Sequence, residues 1–316
     1  MNSTPPSPQA RSAGPEPAQL AAETAPEARP GLRAEFGEMV RELVHYRELL
    51  WQMVLRDVRI RYKQAVMGLG WAVFMPMVIV GAGFLVKYAM ARLAGNTGVD
   101  ADAFSGMAVK ALGWSFFVGA IGFATNSLTA NMALVTKIYF PREVFPLSAV
   151  ITQTFDSAIG SAVLAVLLFT LLGVGLSATA LWAIPLVGLL LLITAGAALF
   201  LSCANVFFRD VKYIVQVIIA FGIFFTPVFY EPELFGSTGS VLMMLNPLAP
   251  LLEGLRLAVV EHHNLLQTLA VSVGDGPPVL AWQPWYLLYS AAWAVLGFLG
   301  AWLMFHKLEF TYAEYI

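Results

Sequence analysis

From Glu38 to Lys63 the apolar positions recur with helical spacing. Val40, Leu43, Val44, Leu50, Trp51, Val54, Leu55 and Val58 share one face at about 100° per residue, and Arg41, Glu42, His45, Gln52, Arg56 and Arg59 fall opposite. Arg47 intrudes on the apolar stripe, where a long side chain snorkels. A basic amphipathic helix over residues 35–65 is expected to lie in a membrane interface. A soluble helix packed on a partner carries the same pattern. Farther on, the chain turns apolar on every side. Six such runs, at 66–90, 108–132, 147–173, 179–205, 212–230 and 284–306, are each near the ~20 residues that cross a bilayer core. The pattern therefore predicts an all-α polytopic membrane protein with six transmembrane helices behind an N-terminal amphipathic interface helix.

The connectors refine this picture. The long external segment 231–283 contains VLMMLNPLAPLLEGLRLAVV, too apolar for a solvated loop and too broken for a span. Two re-entrant external helices before the last span satisfy both facts, with Asn246 and Pro247 at the turn between them. Glu253 and Arg256, three residues apart on the second helix, are placed to pair. The second run ends in Thr125, Asn126, Ser127, Thr129 and Asn131, polar groups expected to face other helices or a water-filled path.

Charge gives the orientation. Arg56, Arg59, Arg61 and Lys63 crowd the entry to the first span, with Tyr62 among them, and hold that end on the cytoplasmic side. With both termini inside, fourteen of the 18 lysines and arginines are cytoplasmic and only Lys87, Arg92, Lys110 and Arg256 are external. Composition agrees, because 59% of the 316 residues are hydrophobic and 12% charged, against roughly a quarter charged in soluble domains. Residues 1–34 hold seven prolines and no apolar core, so a disordered Pro/Ala-rich extension is expected there rather than a cleavable signal peptide. The expected organisation is then the extension (1–34), the interface helix (35–65), the six-span domain (66–308) and a cytoplasmic tail (309–316).

Two inner turns combine aromatics with charge. KIYFPREVFPL, from Lys137 to Leu147, brings Ile138, Tyr139, Phe140, Pro141, Arg142 and Glu143 together with Phe145. Exposed aromatics beside an arginine make a partner-docking composition, although aromatics at headgroup level in an interfacial turn give the same sequence. FFRDVKYI repeats the theme around Arg209 and Asp210. No lysine follows a glycine, so the GxxxxGK[ST] phosphate loop is absent and ATP hydrolysis of that kind needs another subunit.

Catalytic constellations are scarce. Asp100-x-Asp102 reads as a short acidic loop rather than a nucleotide-sugar site, and His262–His263 as a solvated turn rather than a zinc site. No metal site is expected. Cys203, the single cysteine, excludes a disulfide framework and suits packing. Asp156, the one carboxylate inside a predicted span, is either a functional group or a helix-pairing group. Trp71, Phe74, Trp114 and Phe117 are candidates for an aromatic conduit that stacks on sugar rings, or for ordinary belt and lipid-facing positions.

Four segments together, RDVRIRYKQAVMGLGWAVFMP, YFPREVFPLSAV, FFRDVKYIVQ with the following TPVFY, and NPLAPLLEGLR, resemble the membrane permease of ATP-binding-cassette exporters of the O-antigen and teichoic-acid type over about 36–308. The resemblance implies a homodimer working with two ATPase subunits that hold the ATP and magnesium, so that this chain carries no cofactor of its own. It further implies export of a lipid-linked polysaccharide across the bacterial inner membrane. By the same resemblance KIYFPRE looks like a coupling helix seated on the ATPase, with the FFRD turn and the interface helix as further contacts. The proline-rich extension and the weakly basic tail depart from the family pattern. Two other classes stay open on the residues alone: a membrane enzyme acting on a lipid-linked sugar, and an ion-coupled carrier.

Overall fold

The computed structural model describes residues 32–63, 70–93, 101–135, 140–170, 173–175, 177–272 and 277–309. The chain divides into two units, residues 1–41 and 42–316. Helices α1 (Leu32–His45) and α2 (Arg47–Tyr62) occupy the amphipathic stretch. One continuous helix was expected there; instead Tyr46, at φ −91° and ψ 15°, lies off the helical well and separates two. The break resets the apolar stripe. In α2, Met53 and Val54 are buried while Trp51 stays exposed, its ring 5.9 Å from that of Phe155.

The apolar runs form α3 (Gly70–Leu93), α4 (Ala101–Ala130), α5 (Val144–Thr170), α6 (Ala183–Phe207), α7 (Val211–Phe225) and, near the end, α10 (Pro284–Glu309). Among the described residues five helices are long and apolar enough to cross a membrane: Val73–Leu93, Asp102–Ala130, Val144–Thr170, Ala178–Phe207 and Pro284–Glu309. The fifth expected span, 212–230, is shorter than the sequence pattern implied. Helix α7 stops at Phe225 because Pro227 disfavours helical backbone at Thr226, which is extended at φ −109° and ψ 122°. Its 15 residues cover only about 22 Å.

Helix α4 is the centre of the bundle. It packs along α3, α5, α6 and α7, and Ala111, Ala120 and Ala124 on it are fully buried. Small side chains there let neighbouring helices approach closely. The same device joins α6 to α10, where a Cβ on Gly196 would lie 2.9 Å from the backbone of Phe298. Any larger residue at 196 forces those two helices apart.

The long segment before α10 holds α8 (Gly236–Met244) and α9 (Ala249–Val259), which meet at Asn246 and Pro247 as the sequence pattern predicts. Helix α9 is buried from Ala249 through Ala258 against α4, α6 and α10. Each leucine buried there contributes roughly 1.5–3 kcal/mol relative to exposure in water, which explains why this stretch is too apolar for a loop. The sequence reading missed the antiparallel hairpin of β1 (Leu269–Val271) and β2 (Val279–Trp282). Strands of three and four residues are too short to display a period of two. Trp282 anchors the hairpin, fully buried, with its indole N–H donating to the Leu265 carbonyl at 2.9 Å.

Candidate functional site

Three places collect the chemistry. The first lies where the last turn of α2 meets the middle of the bundle. Arg61 forms an ion pair with Asp156 on α5, and Tyr62 donates its hydroxyl proton to the same carboxylate. Arg61 also donates to Gln153 Oε1 at 3.0 Å and lies 4.1 Å above the Phe123 ring. Asp156 thus joins α5 to the basic helix, the pairing role weighed for it from the sequence. Helical spacing alone did not put Arg61 opposite Asp156; the shared feature was an acid inside a span beside a surplus of arginines.

These groups form the polar end of a cavity of about 510 Å³ whose remaining walls include Trp71, Trp114, Ile219 and Ile223, from α3, α4 and α7. Two of the four proposed conduit aromatics therefore face one space. Phe74 and Phe117 sit beside them, with ring centroids 5.4 Å from Trp71 and 5.8 Å from Trp114. Arg61 and Phe123 also border a second, more polar cavity of about 440 Å³, with Asp57, Asn126, Asn131 and Thr152. The polar end of α4 accordingly borders a space between helices. Its hydroxyls are satisfied locally, Thr125 on the Ile121 carbonyl and Ser127 on the Ala124 carbonyl, both at 2.7 Å.

The second place is the end of the bundle that holds the turns before α5 and before α7. Lys137, Ile138 and Tyr139 lie outside the described residues. Phe140 and Phe145, expected as exposed aromatics, are instead buried at 5% and 1%, their rings 5.5 Å apart. Pro141 and Val144 pack with them, so this half of the turn is anchored in the bundle by apolar burial. Arg142 turns toward the end of α10, where its guanidinium donates to the Glu309 carbonyl at 2.5 Å and its backbone N–H to Glu309 Oε1 at 3.1 Å. Glu143 is buried and accepts from the Trp302 indole at 3.2 Å. The other turn is the open one: Arg209 and Asp210 are exposed, flanked by Phe208 (70% exposed) and Tyr213 (58%). Arg56 is occupied by Asp57 at 2.8 Å, whereas Arg59 and Lys63 are exposed.

The third place surrounds the turn between α8 and α9. Asn246 donates to Thr226 Oγ1 at 2.9 Å and accepts from the Leu248 N–H at 3.1 Å, which fixes the turn between α8 and α9. The Pro247 carbonyl accepts from Ser290 at 2.9 Å. Glu253 and Arg256 do pair, at 2.5 Å, but inside a larger network. Lys110 reaches Glu253 at 3.2 Å and the Tyr230 carbonyl at 2.8 Å, and Arg256 also meets Glu233 at 3.6 Å and Glu261. Burial alone would raise the Glu253 carboxyl, yet Arg256 and Lys110 outweigh it and hold it below the usual range. Glu233 is pushed up, first by burial and then by the nearby Glu253. Lys110 had been counted only as an external charge. Its position inside a predicted apolar run was the available signal that it needs a buried partner.

Residues 48–260 match the family model described as ABC-2 type transporter. The chain belongs to that family. The matched stretch of this ABC-2 type transporter chain runs from α2 through α9, so it contains both cavities and the buried network of Lys110, Glu233, Glu253 and Arg256. Curated relatives match most of the chain. The chain is 29% identical over 255 residues to an O-antigen export system permease protein RfbA from Myxococcus xanthus, covering 77% of this chain and 92% of that one. It is 29% identical over 210 residues to a protein of the same name from Klebsiella pneumoniae, covering 65% of this chain and 77% of the relative.

Proposed function

We propose that the chain is the transmembrane subunit of an ATP-driven exporter that moves a lipid-linked polysaccharide of the O-antigen kind across the inner membrane, acting as two copies with separate ATPase chains. The observation that carries this reading is the ABC-2 match over the cavity-forming helices, together with relatives named as O-antigen export permeases. ATP and magnesium belong to the ATPase partner in this reading, which the lack of a GxxxxGK[ST] loop in the sequence supports. In this reading α7 and the turn at 226–230 together make the sixth crossing, and α8 and α9 dip back from the outer face. Both termini lie in the cytoplasm, in line with the distribution of lysine and arginine.

The cavity walled by Trp71 and Trp114 opens the path, since aromatic faces suit sugar rings and its Arg61 end suits an anionic head group. Force from the ATPase enters through the segment Lys137–Glu143 and the exposed turn at Arg209 and Asp210, and α2 passes it to α5 through Arg61 and Asp156. The test is deletion of this chain in its own cell, with surface polysaccharide and lipid-linked polymer measured in parallel. Polymer should accumulate on the inner face, and the chain should copurify with an ATP-binding-cassette ATPase. Unchanged surface polysaccharide after deletion overturns the reading.

A further inference from the structure

Glu143, His306 and Glu309 converge from two distant parts of the chain. Each offers one ligand atom, and these atoms all lie within 4.8 Å of one another. Glu143 follows the inner turn at Pro141, whereas His306 and Glu309 are three residues apart on the last turn of α10 and so share one face of it.

His306 Nδ1 stands 3.6 Å from Glu143 Oε1. That is an ion-pair distance when the imidazole is protonated, longer than an N–H···O hydrogen bond. It is close to the spacing of two neighbouring ligands around tetrahedral zinc, where bonds of about 2.0–2.2 Å separate ligand atoms by about 3.3–3.5 Å. The set of one imidazole and two carboxylates is a zinc-type donor set with room for water in the fourth position. Magnesium fits less well, because it demands near-octahedral oxygen ligation.

The surroundings are those of a metal site. Metal-bound carboxylates are commonly oriented by hydrogen-bond donors behind them. Glu143 receives the Trp302 indole N–H at 3.2 Å, and Glu309 receives the Arg142 backbone N–H at 3.1 Å. Arg142 lies 3.9 Å from Glu309, and His306 stands as the cationic partner of Glu143 when its imidazole is protonated.

We propose that Glu143, His306 and Glu309 form a zinc-type divalent-cation site that fastens the inner turn before α5 to the end of α10. The site rests on side-chain geometry and stands whether or not the chain exports polysaccharide.

The test uses the full chain, purified without a histidine tag in detergent, titrated with zinc alone and, for its spectrum, with cobalt alone. One zinc per chain is expected, with a visible cobalt band of tetrahedral type. His306→Ala and Glu309→Gln should each weaken zinc binding by at least about tenfold. Replacing His262 and His263 together by alanine should leave it unchanged. Melting without zinc checks that each variant folds, and should Glu309→Gln fail, His306→Ala decides alone. Wild-type protein that binds no more zinc than His306→Ala, or zinc binding lost only with the external histidine pair, overturns the proposal.

Discussion

Two groups of ion pairs stand toward opposite ends of α4 and differ in what surrounds them. Toward the end that is the outer one in the proposed topology, Lys110 and Glu253 are buried at 1% and 0% exposure of their side chains, with Arg256 and Glu233 at 7%. Toward the other end, the inner one in that topology, Arg61 keeps 21% exposure and closes a cavity with Asp156. Charges walled in on every side cannot trade partners without facing apolar surroundings, so the outer network braces the packing of α9 on α4. A pair at a cavity wall has another option. An anion entering the cavity can take Arg61, while Asp156 keeps the Tyr62 hydroxyl. The same residue types thus act as a fixed brace in one place and an exchangeable contact in the other.

The comparison breaks most visibly at the outer end. Lys110→Met leaves Glu253 with one cation fewer, and Glu253→Leu leaves two buried cations facing each other. Glu253→Leu should cost about 3–5 kcal/mol, because Lys110 then stays buried without its carboxylate, and Lys110→Met about 1.5–3 kcal/mol, because Arg256 still holds Glu253. The double variant Lys110→Met with Glu253→Leu should recover part of that loss. Melting of the detergent-solubilised chain measures all three. A loss below about 1 kcal/mol for Lys110→Met would mean that water reaches the network and that it is no brace.

At the inner end the order of effects should reverse. Asp156→Asn or Arg61→Ala removes a charged hydrogen bond in a half-open setting, which costs about 1.5–3 kcal/mol of stability. Export should fall far more than the melting midpoint suggests, since both side chains line the cavity. Asp156→Asn with full export would show that the pairing charge is dispensable, and it would also remove Asp156 as a proton carrier. Arg61→Lys sharpens the point: it keeps the charge but loses the planar fork that meets Asp156, Gln153 and Phe123 together.

Much of this architecture was legible because apolar runs near 20 residues are a strong signal, and five of the six expected spans coincide with long apolar helices. The Asn246–Pro247 turn and the Glu253–Arg256 pair were legible for local reasons, namely turn chemistry and helical spacing. What escaped the sequence depends on contacts between distant residues. Lys110 to Glu253 spans 143 positions, Arg61 to Asp156 95, and Trp302 to Glu143 159. Periodicity carries no information at such separations. Phe140 escaped for another reason: an aromatic beside proline reads as exposed until the bundle is there to cover it. The stop at Phe225 was readable from Pro227, but the apolar residues beyond it masked the signal.

The two turns separate docking from packing, and the smallest effect on stability belongs to the exposed one at Arg209. Phe140 is covered, so Phe140→Ala should cost about 3–5 kcal/mol and lower export through misfolding. Arg209 and Tyr213 are exposed, and Arg209→Glu with Tyr213→Ala should leave the melting midpoint where it was. If this open turn meets the ATPase, that double variant should still insert and melt normally, yet copurify with less ATPase and export less polymer. The pairing is informative because the two turns carry the same kind of residues at the same side of the bundle. Loss of copurification with Arg209→Glu and Tyr213→Ala, at unchanged stability, would assign docking to the exposed turn. Full copurification would move the docking surface to the segment around Tyr139, and leave the exposed aromatics at Phe208 and Tyr213 to the headgroup region.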